Sequence, residues 1–190
     1  KVAATARDVA TLDDLAAEYG DALLPIQLDI TDRDADFAAI KAAHDHFGRL
    51  DIVVNNAGYG QFGFVEELSE DEARAQIETN VFGALWITQA ALPYLRAQRS
   101  GHILQVSSIG GITAFPNVGI YHASKWALEG FSQALAQEVA EFGVHVADKT
   151  YELRASTADE ANRWTQALRE AIEPNPPQPG QWACSFPQQG

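Results

Sequence analysis

The sequence predicts an α/β fold built on a parallel sheet, and three observations carry that expectation. Apolar runs of strand length alternate with segments of helical spacing along residues 1–146. No tight hairpin turn separates one apolar run from the next, so consecutive strands need helical crossovers. Polar residues cluster where four of these strands end: Arg7, Asp29, Asn55-Asn56-Ala57-Gly58 and Ser107-Ser108. Parallel sheets are covered on both faces and hold ligands beyond the carboxyl ends of their strands, so four such ends imply one ligand edge.

Taken in order, residues 1–7 read as a short strand. Residues 11–19 have helical spacing (Leu12, Leu15, Ala16, Tyr19), with Thr11 expected as N-cap and Gly20 as the stop. Residues 23–30 are an apolar run of strand type. Thr31 with Asp34 resembles a capping box, and the helix it opens should end at Gly48. Residues 50–55 give another strand and 58–68 a loop. Ser69 with Glu72 makes a second capping box, opening a helical stretch to about Arg99 that should be interrupted near Gly83 and Pro93. A strand over 101–106 and a helix over 118–142, stopped by Gly143, complete the pattern.

A chain of 190 residues suits one domain with a real core. The net charge of −13 argues against nucleic acid and anionic membrane as partners, since both select clustered cations. A single cysteine, Cys184, excludes an internal disulfide framework and fits a reducing, cytoplasmic setting. No apolar run reaches membrane-spanning length. The sequence contains no Met, not even at position 1, and so reads as part of a longer translation product.

The chemistry concentrates in residues 106–125. A strand end carrying Ser108 is followed by small residues and then by a helix bearing Tyr121 and Lys125. Residues four apart share a helix face, so a phenol and an ammonium can meet one ligand. A free phenol, with a pKa of about 10, is a poor acid–base catalyst at neutral pH, and a nearby cation favours its ionised form. Ser108 could hydrogen-bond the oxygen on which Tyr121 acts. A lone Tyr-x-x-x-Lys arises by chance in roughly one chain in ten of this composition, so its company decides its meaning. His44 and His46 face different ways on their helix and suggest no metal site. His122 follows Tyr121 and could line the site, and reads in the first place as a helix-face residue. Tyr59, Phe62, Phe64 and Phe115 fall in the loops expected to border the substrate.

That company is Asn55-Asn56-Ala57-Gly58 after a strand, Asn80-Val81-Phe82-Gly83 in the next helix, Ser108 after the following strand, and Tyr121-x-x-x-Lys125. In this order the pieces resemble the short-chain dehydrogenase/reductase family, with Rossmann-type doubly wound sheets and a nicotinamide cofactor. The resemblance runs over residues 1–146. It implies Tyr121 as general acid–base and, with Lys125, as a cofactor contact, Lys125 tuning it and holding the nicotinamide ribose, Ser108 on the substrate oxygen, and Asn80 supporting a proton relay. Asp29 and Ile30 would meet the adenine, and Asn56, Ala57 and Gly58 would pass close to the cofactor. At the end of the first strand an acid selecting NAD is replaced by Ala6 followed by Arg7, which favours NADP(H) over NAD(H). The implied reaction is hydride transfer to or from a ketone or secondary alcohol, with the loop aromatics favouring an apolar substrate. A homodimer or tetramer is also implied.

Relative to the family the chain is short at both ends. The glycine-rich loop and its strand are expected before Lys1, with that strand between those ending at Arg7 and Asn55. Residues 147–172 resemble the last strand and helix of a pleckstrin-homology domain. There, 150–154 alternates like a strand, Ser156 with Asp159 caps a helix, and Trp164 lies on its apolar face. The alternating segment is expected to pair with a sheet edge and Trp164 to cover apolar surface. Residues 173–190, rich in Pro and Gln, read as a flexible tail. A rival function follows from these departures: a non-catalytic fragment acting as a binding or interaction module.

Overall fold

A computed structural model of the chain describes residues 1–148. The readings of 150–154, of the Ser156 helix with Trp164, and of the 173–190 tail lie outside the described residues.

All strand pairs are parallel. β1 (Val2–Ala6) pairs with β2 (Leu23–Gln27), Val2 lying opposite Leu23. β3 (Ile52–Asn55), β4 (Gly101–Gln105) and β5 (Val144–Asp148) form a second group in that spatial order, with Ile52 opposite His102 and His102 opposite His145. No ladder joins β1 to β3 among the described residues. The two groups nevertheless share a core, because Ala3 of β1 packs on the cluster that contains Val53 and Ile103.

The helices are α1 (Asp13–Tyr19), α2 (Arg33–Phe47), α3 (Glu70–Ile77), α4 (Ala84–Gln98) and α5 (Gly119–Val139). Their stops follow the sequence. Gly48 and Gly143 sit at φ 79° and 68°, the left-handed region that glycine enters without a Cβ penalty. The Ser69–Glu72 box forms with both reciprocal bonds.

Three local expectations are corrected. Thr11 does not cap a helix: its hydroxyl donates to the Asp8 carbonyl, and a 3₁₀ turn capped by Asp8 precedes α1. Asp32, not Thr31, caps α2 by accepting the Ala35 N–H, because Asp29 takes the Thr31 hydroxyl. Pro93 does not interrupt α4. It and Gln89, whose carbonyl it leaves unbonded, are both exposed, so water can satisfy that group. The interruption near Gly83 does exist, as a π turn over Glu78–Gly83 between α3 and α4. There a Cβ on Gly83 would come within 2.5 Å of Ile30 Cδ1, so only glycine lets this turn approach the end of the β2 segment.

α2, α4 and α5 cover one face of the β3–β4–β5 group. Ala91, Leu95 and Ile103 are fully buried there, with Val53, Leu135, Val139 and Val144 around them. Complete burial of a side chain such as Leu95 stabilises by about 1.5–3 kcal/mol. The alternate residues of these strands face the other way, and Val54 stays half exposed. The described residues therefore cover this face less than the expected two-sided packing. Above the apolar layer, toward the carboxyl ends, Asn55, Thr88 and Gln105 form a buried polar cluster. Asn55 Nδ2 reaches Thr88 Oγ1 and Gln105 Oε1, both at 3.0 Å. It fixes the strand ends from which the functional loops leave.

Candidate active site

Beyond β3 and β4 lies a cleft of about 440 Å³, lined by Asn56, Gly58, Ser108, Tyr121 and Lys125 together with loop residues on either side. Two elements position its polar groups. Ser108 follows β4 and opens a 3₁₀ turn, its Oγ accepting the Gly110 N–H at 3.2 Å. α5 then carries Tyr121 and Lys125 into the same cleft, one helical turn apart.

Lys125 is 6% exposed, and its Nζ donates to the Val106 carbonyl at 2.7 Å while lying 5.8 Å from the centre of the Tyr121 ring. Burial lowers its pKa from the ordinary lysine value, and the Glu129 carboxylate one turn further along α5 opposes that shift. An ammonium has three donors, so the Val106 bond leaves two for a ligand. Gly58 sits between Lys125 and Asn80: a Cβ there would lie 3.1 Å from Asn80 Oδ1 and 3.7 Å from Nζ. Absence of a side chain at this point keeps the approach to the ammonium open.

Asn80 is buried beneath the cleft, in the π turn. Its Oδ1 accepts the Tyr59 N–H at 3.1 Å, and its Nδ2 donates to the Tyr59 carbonyl at 2.9 Å and to Ser124 Oγ at 3.0 Å. Gln76, wholly buried one turn earlier, accepts the Gln61 N–H at 2.7 Å and donates to the Tyr59 carbonyl at 2.9 Å. The two amides thus hold the loop of residues 58–61 as one wall.

The remaining sequence candidates do not line this cleft. Asp29 and Arg7 are exposed at the ends of the β2 and β1 segments. Asp29 Oδ1 accepts the Thr31 N–H at 3.0 Å and the Thr31 hydroxyl at 2.8 Å. These bonds, with a smaller contribution from Arg7, hold its carboxyl below the usual carboxylate range. Ile30 packs under Gly83, and Ala57 is exposed between Asn56 and Gly58. The structure thus brings together Asn56, Gly58, Ser108, Tyr121 and Lys125, sets Asn80 behind them, and leaves Arg7, Asp29 and Ile30 along neighbouring strand ends.

One residue escapes the sequence reading and another takes its less favoured alternative. Gln76 lies four positions before Asn80, a spacing that marks a shared helix face but not burial. His122, read as a helix-face residue that could also line the site, is 5% exposed and lines the cleft. Helical spacing does not separate these cases, because each is covered by a loop, residues 59–61 for Gln76 and 110–115 for His122. Among the described residues no group of three or more His, Cys, Asp or Glu is placed to hold a metal, and no helix is long and apolar enough to cross a membrane.

Comparisons with known proteins bear on the family and the fold. The short chain dehydrogenase family profile matches residues 1–150. Oxidoreductase BOA17 of Botryotinia fuckeliana is 45% identical over 146 residues, covering 76% of this chain and 53% of that protein. A 3-ketodihydrosphingosine reductase of Bacteroides thetaiotaomicron is 42% identical over 119 residues, covering 63% of this chain and 44% of its own length. The chain thus spans about half the length of the curated relatives it matches. A solved short-chain dehydrogenase from Streptomyces avermitilis superposes with a TM-score of 0.76 at 42% identity, over 78% of this chain and 55% of that one. A metagenomic short-chain oxidoreductase in complex with NADP gives 0.75 at 30% identity, over 88% and 79% of the two chains. An NAD+-bound xylitol dehydrogenase gives 0.73 at 25% identity, over 77% and 58%. With the profile over most of its length, these relatives, and Ser108, Tyr121 and Lys125 lining one cleft, the chain belongs to the short-chain dehydrogenase family.

Proposed function

We propose that the cleft is the reacting centre of an NADP(H)-dependent oxidoreductase acting on a ketone or secondary alcohol. The observation that carries this reading is the buried Lys125 ammonium 5.8 Å from the Tyr121 ring, in a cleft that also receives Ser108. The side-chain-free approach at Gly58 and the two uncommitted Lys125 donors fit a nicotinamide nucleotide. That group, when bound, supplies or accepts the hydride.

Ser108 orients the substrate oxygen. Tyr121 gives a proton to that oxygen in reduction or takes one in oxidation. Lys125 sets its positive charge beside the phenol and holds the ribose hydroxyls. Asn80 fixes residue 59 and Ser124, and so supports the wall behind the lysine along which a proton relay would run. Asn56 and Ala57 extend the cofactor edge toward Asp29 and Ile30. Arg7, exposed after Ala6 with no acid in that place, supports NADP(H) over NAD(H), since a guanidinium fork suits a 2′-phosphate.

Tyr59, Phe62 and Phe115 line the cleft and are 40%, 70% and 51% exposed, which supports an apolar substrate; Phe64, though exposed, does not line it. Self-association through α3, α4 and α5 is part of the same reading. The break between β1 and β3 among the described residues supports a second reading, in which the chain serves as a non-catalytic binding module.

Fluorescence titration of the chain with NADPH, beside NADH, separates the two. Saturable binding that favours NADPH is the expected result. No binding of either nucleotide at millimolar concentration would favour the module.

A further inference from the structure

The loop that links Ser108 to α5 is held at two points by one side chain. His122 Nδ1 accepts the Phe115 N–H at 3.1 Å, and the Phe115 ring stands edge-on to the imidazole with centroids 5.5 Å apart. At the start of the same loop the imidazole packs against Gly110, where a Cβ would come within 2.5 Å of His122 Cδ2 and 3.1 Å of Nε2. Gly110 follows Ser108 by two residues, and His122 follows Tyr121 by one. The imidazole is therefore the spacer between the segment that carries the substrate-orienting hydroxyl and the segment that carries the phenol.

The far end of the loop is tied to the opposite wall. Gly63 donates its N–H to the Asn117 carbonyl at 3.0 Å, and Gly63 and Val118 form an isolated parallel bridge. That wall is itself anchored by Gln76 and Asn80. The Phe115 backbone thus has its fixed point on His122, while its side chain remains half exposed toward the cleft mouth.

Resting on the reductase reading above, we infer that His122 is a positioning residue for substrate selection. It sets the Phe115 wall over the cleft through a neutral, Nδ1-accepting imidazole, and thereby decides how bulky an apolar group is held against Tyr121. It acts through the loop and not on the reacting oxygen. An imidazole that accepts at Nδ1 carries its proton on Nε2, so one tautomer is required.

The test uses the full chain with His122→Leu, which keeps bulk but removes the acceptor, and His122→Asn, whose Oδ1 can replace it. In hydrogen exchange without cofactor, His122→Leu should speed exchange of the Phe115 amide about tenfold, and His122→Asn should stay within about threefold of wild type. In kinetics with benzylacetone against 2-butanone, His122→Leu should raise KM for the bulkier ketone about tenfold with kcat within about threefold, and His122→Asn should restore it. Nitrogen NMR of the wild-type imidazole should show the Nε2–H tautomer, a readout that needs no variant. Equal exchange in all three proteins, equal losses in Leu and Asn variants, or an Nδ1–H tautomer would each overturn the inference. If neither ketone is turned over by wild type, the reductase reading fails, while exchange and tautomer still decide the role of His122.

Discussion

The cleft and the strand ends beside it are built differently. Around the cleft most supports are buried and hydrogen-bonded: Asn80 and Gln76 under one wall, His122 under the other, and the Asn55–Thr88–Gln105 cluster at the ends of β3 and β4, with Ser107 Oγ the exception that has no hydrogen-bond partner. At β1 and β2 no side chain within either strand is buried, and Arg7 and Asp29 lie in solvent. The buried acid nearest that end, Asp36 on α2, has both carboxylate oxygens without a hydrogen-bond partner. Burial, with Asp32 and Asp29 adding repulsion, raises its pKa to about 7. Hydrogen-bonded supports limit how far the cleft walls can move, whereas the exposed groups at the β1 and β2 ends are held by fewer such bonds.

The largest test of this contrast is Tyr121→Phe. Loss of the phenol should lower turnover by about 10²–10⁴-fold while NADPH affinity stays within about threefold, as measured by steady-state kinetics beside fluorescence titration. Equal losses in both would make Tyr121 a cofactor contact instead.

Asn55→Ala should destabilise the fold by about 2–3 kcal/mol in urea unfolding, because it leaves the Gln105 and Thr88 groups short of a donor in a dry layer. An effect as small as that of Asp29→Ala, expected within about 0.5 kcal/mol, would remove the contrast between the two regions.

Asp36→Val should have the opposite sign and a smaller size. The folded-state pKa of about 7 lies above the ordinary carboxylate value, so between about pH 4 and 7 the native state holds a proton that the unfolded chain has lost. Wild-type stability therefore falls as pH rises through that window. The variant should match wild type near pH 4 and exceed it by about 1–3 kcal/mol at pH 8. A gain that does not vary with pH would mean that packing, and not charge, is what changed.

Arg7→Ala should give the smallest effect. NADPH affinity should fall about threefold to tenfold, NADH affinity should hold, and the difference should shrink with added salt because the guanidinium is exposed. A loss that salt does not alter would place Arg7 against the nucleotide by shape alone.

Much of this was legible in the sequence because it rests on local physics. Glycine at Gly48 and Gly143 ends helices through its own φ, and the Ser69–Glu72 box closes over three residues. The spacing of Tyr121 and Lys125 puts both on one helical face. Local rules failed where two neighbours compete, as when Asp29 claims the Thr31 hydroxyl and leaves the cap to Asp32. They failed again at Pro93, where exposure to water removes the penalty for a missing bond.

What the sequence by itself determined is the order of elements, the parallel class of the sheet, and the identities of the side chains at its ligand edge, all set by periodicity, turn chemistry and short spacings. Only the tertiary structure decided the separation of β1 from β3, the burial of Lys125, Gln76 and Asp36, and the conversion of His122 from a helix-face residue into the support of a loop. The physical reason is common to them all. Pairing of separate strands and the desolvation of a charge or an imidazole depend on contacts between elements, even where, as for Phe115 on His122, the partners are only seven residues apart, and the periodicity of one helix or strand does not encode them.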